Sequence, residues 1–185
     1  RGVVDAVYNP LRTNLVLEAR RRGIPAEGGL YMLAAQAVYA SALFQGTEAA
    51  EAQIDLAYRT VLRQMENIVL IGMPSSGKTT VGRLLAARTG KAFVDTDELT
   101  EQAIGTTIAD YFAAHGEDGF RDREQEAVAA AAAEGGRVIA TGGGAMLRPE
   151  NLTALRRSGR LFFLDRSIEK LIATADRPLS SDAEA

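Results

Sequence analysis

The amino-acid sequence predicts an α/β protein in which a parallel sheet is covered by helices on both faces and is preceded by a mostly helical segment. From Glu66 onward, apolar stretches of strand length alternate with stretches of helix length, as in parallel sheets with crossover helices. A glycine-rich loop directly follows the first of these strands. Before Met65, the apolar spacing is mainly helical. These observations predict two units, residues 1–64 and residues 65–185.

Turn and stop signals divide the first unit into short elements. Gly23 follows an amphipathic stretch and predicts the end of a helix. Gly46 and Thr47 separate two longer helical stretches. The unit is therefore predicted to contain a short buried strand, VVDAVY at 3–8, and three helices, at 12–23, 29–44 and 48–64.

The second unit alternates regularly between strands and helices. Thr107 and Asp110 form a capping pair at one helix start, and Pro149 lies where the first residue of another helix is expected. Four strands are predicted, at 67–72, 91–95, 137–141 and 161–165. Six helices are predicted, at 78–90, 97–103, 107–116, 120–134, 150–159 and 167–175.

Composition argues against several classes of function. The net charge is −3, and neither unit has the basic excess that binding to a nucleic-acid backbone usually requires. No apolar run reaches the roughly 18 residues of a membrane helix. Cysteine is absent, which excludes disulfides and thiolate metal sites. We therefore expect a cytoplasmic protein that binds neither nucleic acid nor a membrane. Because the sequence starts RGVVDAVY, without a methionine, it is expected to be a fragment of a longer chain.

The stretch GMPSSGKTT at 72–80 is the clearest functional motif. Gly72, Gly77, Lys78 and Thr79 fit the pattern G-x-x-x-x-G-K-[ST], between a strand and a helix. In this pattern, backbone amides and the helix start surround phosphate oxygens, the lysine reaches the β- and γ-phosphates, and the hydroxyl holds Mg²⁺. The alternative is an ordinary strand-to-helix turn. The predicted ATP-binding residues in this stretch are Gly72, Ser75, Ser76, Gly77, Lys78, Thr79 and Thr80.

Two acids at the end of the second strand of this unit are candidates for chemistry. Asp95 and Asp97 lie two residues apart, and ligands of open parallel sheets bind beyond the carboxyl ends of the strands. One acid can support Mg²⁺ while the other accepts a proton from a hydroxyl group. The alternative interpretation is that Asp97 only caps the following helix.

Two further stretches are candidates for substrate binding. Arg121 lies near a predicted helix start, and its planar guanidinium is suited to a carboxylate; the alternative is a solvated surface arginine. Gly142, Gly143 and Gly144 directly follow a predicted buried strand, where three glycines cost backbone entropy. They favour a backbone that approaches a ligand closely, although a flexible loop is also possible.

Taken as a set, these stretches resemble shikimate kinase. The resemblance rests on GMPSSGKTT, DTDE, GFRDREQEA, ATGGGA and DRPL, in that order, and it covers residues 66–185. It implies the three-layer fold of the phosphate-loop kinases that are like nucleoside-monophosphate kinases. It also implies transfer of the γ-phosphoryl group of ATP to the 3-hydroxyl of shikimate, with Mg²⁺, on the route to chorismate and the aromatic amino acids.

The resemblance implies roles for individual residues. Asp97 would hold the reacting hydroxyls and act as the base, and Asp95 would support Mg²⁺. Arg121 and the backbone amide of Gly143 would bind the substrate carboxylate. Arg177, in the lid, would contact the phosphates of ATP. The two alternatives are a kinase similar to gluconate kinase and a nucleotide-binding module without catalysis.

The first 64 residues resemble the C-terminal end of shikimate dehydrogenase, through VVDAVYNPLRTNLVLEARRRG and GGLYMLAAQAVYASALFQG. By this resemblance Tyr8 and Gln36 touch shikimate, and Gly29 and Met32 lie near the nicotinamide of NADP. The alternative is that Tyr8, Met32 and Gln36 are packing and strand-end residues. The glycine-rich NADP loop and the lysine–aspartate dyad of that family are missing, so this half is not expected to catalyse. The parent is expected to be a fusion of both enzymes.

The resemblance also implies that the kinase continues beyond DRPLSSDAEA with the rest of its lid, a helix, a fifth strand and a final helix. That strand would pair with LFFLD at 161–165. Without it an apolar edge is open, which favours aggregation. We therefore expect these 185 residues to be poorly stable, and weakly active or inactive.

Overall fold

The computed structural model of the chain describes residues 1–167. Its strands are β1 (Val3–Val4), β2 (Ala26–Glu27), β3 (Asn67–Ile71), β4 (Ala92–Asp95), β5 (Arg137–Ala140) and β6 (Gly159–Phe163). Its helices are α1 (Asn14–Arg21), α2 (Leu30–Gln45), α3 (Glu51–Met65), α4 (Lys78–Thr89), α5 (Thr96–Ile104), α6 (Ile108–Ala133) and α7 (Pro149–Ser158), with a short 3₁₀ turn at Ala145–Leu147. The predicted helix at 167–175 lies, from residue 168 on, outside the described residues, as does Arg177.

Four strands form one parallel sheet in the order β4-β5-β3-β6. Neighbouring residues of β3 point to opposite faces, because side chains alternate along a strand. Val69 packs with Val128 of α6 and Leu155 of α7 on one face. On the other face, Leu70 packs with Ala86 of α4. The predicted α/β sheet with helices on both faces is confirmed.

The helix boundaries follow local signals in the sequence. Thr107 caps α6, because its hydroxyl accepts a hydrogen bond from the backbone N–H of Asp110 at 3.1 Å. Gly116 interrupts α6 with φ 72° and ψ −179°, so that the predicted break between two helices is present as a kink. Pro149 is the first residue of α7, as predicted.

The N-terminal unit is helical, but its predicted buried strand was wrong. Only Val3 and Val4 form β1, which pairs in parallel with the equally short β2, and the side chain of Val4 is 84% exposed. Among residues 1–167, the apolar run pairs only with the two-residue β2 and is not buried in a larger sheet. Helices α2 and α3 pack against each other, with the rings of Tyr31 and Tyr58 edge to face at 5.4 Å.

A compact joint connects the N-terminal unit to the sheet. Helix α3 ends at Met65, and β3 begins at Asn67. Lys91 donates to the backbone carbonyls of Arg63, Gln64 and Glu66 at 2.7–3.1 Å, which satisfies carbonyls at the helix end. Burial lowers the pKa of this amine. Across residues 1–167, none of the helices has the length and apolar character to cross a bilayer.

Candidate active site

The phosphate loop joins the carboxyl end of β3 to the start of α4. Gly77, with φ 96°, precedes the helix, and Lys78 is its first residue. Gly72 has φ 149°, and a Cβ placed there would lie 2.7 Å from the carbonyl oxygen of Leu164. The buried Lys78 donates from Nζ to the carbonyls of Gly72 and Met73 at 2.7 and 2.8 Å. The backbone at the start of the loop thus accepts hydrogen bonds from the lysine at its end.

Another polar group of the loop is suited to a ligand. The hydroxyl of Ser76 is buried, and the described residues provide no hydrogen-bond partner for it. A buried polar atom without a partner costs free energy unless a ligand or water satisfies it. The N-terminus of α4 and this hydroxyl therefore fit an anion such as a phosphate.

Thr79 and Asp95 meet at the ends of α4 and β4. The Thr79 hydroxyl donates to Asp95 Oδ2 at 2.8 Å, and Asp95 Oδ1 accepts from the backbone N–H of Asp97 at 3.0 Å. Asp95 therefore caps α5, and the interpretation that Asp97 is the cap was wrong. A hydroxyl and a carboxylate are hard oxygen donors that suit Mg²⁺ completed by phosphate oxygens and water. Residues 1–167 contain no group of three or more histidine, cysteine or acidic side chains that would hold a metal ion.

The three consecutive glycines are packed rather than free. A Cβ placed on Gly142 would lie 2.6 Å from Asp97 Oδ1, and one placed on Gly143 would lie 2.6 Å from the ring of Pro74 in the phosphate loop. The N–H of Gly142 donates to the Thr96 hydroxyl at 3.0 Å. The segment thus joins the side chain of Asp97 to the phosphate loop, which argues against the flexible-loop interpretation.

Arg121 lies at the other end of the same glycine segment. A Cβ placed on Gly144 would lie 2.6 Å from Arg121 Nη2. The arginine is 5% exposed and donates to Glu124 at 2.7 Å and to Glu117 at 3.3 Å. The surface interpretation of Arg121 is therefore excluded.

Glu124 is a site residue that we did not predict from the sequence. It is 2% exposed, and its second oxygen would lie 2.7 Å from a Cβ on Gly142. The available signal was its spacing of three residues from Arg121, which places both on one helix face. A buried carboxylate at that spacing fixes the orientation of the guanidinium.

The remaining predicted site residues have different surroundings. Thr80 is exposed on α4. Tyr8, Met32 and Gln36 are exposed, so none of them packs in a core formed by the described residues. Gly29 is buried, and a Cβ there would collide with the carbonyl oxygen of Ala6.

The second unit matches a known protein family. Residues 74–185 match the family model for shikimate kinase. The chain is 62% identical over 105 residues to the shikimate kinase of Symbiobacterium thermophilum, covering 57% of this chain and 60% of that relative. It is 45% identical over 119 residues to the shikimate kinase of Thermodesulfovibrio yellowstonii, covering 62% of this chain and 69% of that relative. The chain therefore spans 60–69% of the length of these two relatives.

Solved structures give the same result. Shikimate kinase from Acinetobacter baumannii in complex with shikimate has a TM-score of 0.58 and 37% identity, covering 60% of this chain and 63% of that chain. Shikimate kinase from Aquifex aeolicus has a TM-score of 0.56 and 34% identity, covering 61% of this chain and 70% of that chain. The predicted fold, that of phosphate-loop kinases like nucleoside-monophosphate kinases, is confirmed. Because the family model covers more than half of its residues, the chain belongs to the shikimate kinase family.

Proposed function

We propose that the protein transfers the γ-phosphoryl group of ATP to the 3-hydroxyl of shikimate. The observation that carries the proposal is the glycine segment 142–144, which contacts the phosphate loop at Pro74, the carboxylate of Asp97 and the guanidinium of Arg121. A phosphate-binding loop, an acid and a carboxylate-binding group thus meet at one segment. The A. baumannii relative, which was solved with shikimate, supports the choice of substrate.

On the nucleotide side, the residues of the phosphate loop bind and orient the triphosphate. The amides at the start of α4 and the Ser76 hydroxyl accommodate phosphate oxygens. Lys78 exchanges its bonds to the loop carbonyls for the β- and γ-phosphates. Thr79 and Asp95 would hold Mg²⁺, which neutralises the charge that develops on the phosphates.

On the acceptor side, Asp97 is the proposed base. Its carboxylate lies against Gly142, which follows β5 at the carboxyl ends of the strands, where the phosphate loop also begins. It accepts the proton of the attacking hydroxyl while the glycine segment positions the substrate. Phosphoryl transfer depends mainly on such positioning and on charge neutralisation.

Arg121 is the proposed anchor for the substrate carboxylate, together with the amide of Gly143. Its bond to the buried Glu124 is short, at 2.7 Å, whereas its bonds to the exposed Glu117 are 3.3 Å long. A substrate carboxylate can therefore replace Glu117 while Glu124 still orients the guanidinium. Arg177, outside the described residues, is the proposed second contact to the ATP phosphates.

We also propose that residues 1–64 are the C-terminal end of a shikimate dehydrogenase fused to the kinase unit, 65–185. The exposure of Tyr8, Met32 and Gln36 on one unit fits residues that face a ligand rather than a core. NADP would be bound by the dehydrogenase half of the parent protein only. Residues 1–64 lack the G-x-G-x-x-G loop that this cofactor requires.

The test of the kinase proposal is ADP formation with shikimate and with gluconate as acceptors. We expect turnover that depends on shikimate in the full-length parent protein, to which the proposed activity belongs. The variant Asp97→Asn should lower kcat by about 10²- to 10⁴-fold with little change in the KM for ATP, because it removes a base and keeps the loop. The matched control is Asp118→Asn, an exposed acid on α6. In the full-length parent, turnover with gluconate alone would favour the gluconate-kinase alternative, and ATP binding without shikimate-dependent turnover would favour a non-catalytic module.

A further inference from the structure

The phosphate loop contains a residue in an unfavourable backbone conformation. Ser75 has φ 60° and is the only described residue other than glycine with a positive φ. It is the third residue of a turn that is closed by the N–H of Ser76 donating to the carbonyl of Met73 at 3.2 Å, with Pro74 in second place. A turn with proline second and a positive φ third usually has glycine or asparagine at that third position. Serine there costs conformational free energy.

The side chain of Arg166 contacts this turn from outside the phosphate loop. Arg166 lies three residues after β6, and its Nη1 donates to the carbonyl oxygen of Ser75 at 3.1 Å. The chain between them is held against the loop, because the N–H of Leu164 donates to the carbonyl of Ile71 at 2.8 Å. The direction of the Ser75 carbonyl is set by the same torsions that make the turn unfavourable. A charged donor on that oxygen therefore stabilises this conformation.

The turn also faces the acceptor side of the candidate site. Pro74 is the residue that a Cβ on Gly143 would meet at 2.6 Å. Rotation of the peptide after Ser75 would move the N–H of Ser76, which closes the turn on the carbonyl of Met73. The orientation of this single peptide thus affects the phosphate loop next to the contact between Pro74 and Gly143.

We propose that Arg166 is a positioning residue of the phosphate loop, which holds Ser75 in its left-handed conformation and thereby raises the affinity of the loop for nucleotide phosphates. The inference rests on the proposed nucleotide site. Arg166 acts by increasing the fraction of molecules whose loop is ready to bind, and the apparent dissociation constant scales inversely with that fraction. It does not take part in the chemical step.

The experiment is titration calorimetry of the full chain with MgADP. For Arg166→Met we expect the dissociation constant to rise about three- to tenfold. Arg166→Lys, which keeps a charged donor, should recover part of the loss. Arg160→Met is the matched control, because Arg160 is an exposed arginine of β6 near Glu66, at the opposite end of the strand from the loop. It should bind MgADP like the unsubstituted chain.

A second pair of variants separates positioning from a general effect of charge. Ser75→Gly removes the backbone cost, since glycine adopts positive φ freely. If the inference is right, Arg166→Met should raise the dissociation constant less than about twofold in the Ser75→Gly background. Equal losses in both backgrounds, no loss in Arg166→Met, or an equal loss in Arg160→Met would overturn it. Absence of MgADP binding by the unsubstituted chain would instead overturn the nucleotide site itself, and the inference with it.

Discussion

At the scale of single residues, Gly142 is a tightly packed position of the candidate site. A Cβ there would lie 2.6 Å from Asp97 and 2.7 Å from Glu124, closer than real Cβ contacts. We expect Gly142→Ala to displace both carboxylates and to weaken shikimate binding by about tenfold or more. Binding of MgADP should be nearly unchanged, because the phosphate loop contacts Gly143 instead. Both affinities can be measured by calorimetry.

The control for this variant is Gly119→Ala, a glycine inside α6 whose added Cβ would come within 3.1 Å of one side chain, that of His115. Alanine favours a helix interior over glycine by about 1 kcal/mol, so this variant should keep both affinities. Shikimate binding by Gly142→Ala equal to that of the control would contradict the proposed role of the glycine segment.

Sequence spacing identified some site residues and missed others for physical reasons. The phosphate-loop motif located Lys78 and Thr79, because strand, loop and helix are contiguous in the chain. The motif could not indicate that Ser75 adopts a positive φ, since a torsion is not visible in residue type. Nor could it indicate the contact with Arg166, which lies 91 residues away.

At the scale of elements, β6 is one of the two edge strands of the main sheet, the other being β4. It pairs with β3 on one side, and no described strand pairs with the other side. Its last residue, Phe163, is 62% exposed. Unpaired edges with apolar side chains promote association between chains, and lysine on an edge opposes it. We expect Phe163→Lys to lower self-association of the chain, measured by sedimentation velocity over a range of concentrations.

Leu84→Lys provides the comparison for this edge variant. Leu84 is similarly exposed, but it lies on α4 rather than on a strand edge. If both substitutions reduce association equally, general hydrophobicity and not the open edge is responsible. If neither does, the edge is harmless in this chain.

Element prediction succeeded where local patterns and their surroundings agreed. The helix predicted over 78–90 corresponds to α4. This helix has a capping glycine at each end and an apolar side that packs against the sheet. The strand predicted at 3–8 was reduced to two residues, because its apolar pattern gave no information about whether strands exist for it to pair with. The spacing of apolar residues describes a single segment, whereas the burial of that segment depends on the strands and helices that pack against it.

At the scale of the whole molecule, Arg12 is the central contact between the two units. Its guanidinium forms an ion pair with Glu66 and donates to the carbonyls of Gly159 and Arg156 at 3.2 and 3.4 Å. Its backbone N–H donates to the carbonyl of Arg157 at 3.0 Å. The side chains of Arg12 and Glu66 are only 18% and 14% exposed. One arginine thus connects the N-terminal unit to the start of β6 and to the end of α7.

We expect Arg12→Met to destabilise the chain by about 2 kcal/mol, because it leaves Glu66 without its main partner. For a chain of this size that corresponds to a fall in Tm of roughly 4–8 °C, measurable by calorimetry or circular dichroism. The control is Arg21→Met, since Arg21 is exposed and pairs with Glu18 within α1. Such surface pairs contribute little. A Tm of Arg12→Met within 1 °C of that control would contradict a joint centred on Arg12.

The division into units at residue 65 could be predicted from the change in pattern, but the joint between them could not. Arg12 contacts residues 54 and 147 positions away, and no local periodicity reports on such pairs. Lys91, which closes the end of α3, is 25–28 residues from its acceptors. Such long-range contacts depend on how the helices and strands pack against one another, and this packing is determined only in the folded chain.

The central position of β3 has a consequence for biosynthesis. β3 is the first strand of the main sheet to leave the ribosome, yet Arg137 of its neighbour β5 follows Asn67 by 70 positions. At about 5–20 residues per second, the nascent Ile-Val-Leu-Ile segment waits roughly 4–14 s for its first partner. During that interval we expect chaperones that bind exposed apolar segments near the ribosomal exit tunnel to bind this segment.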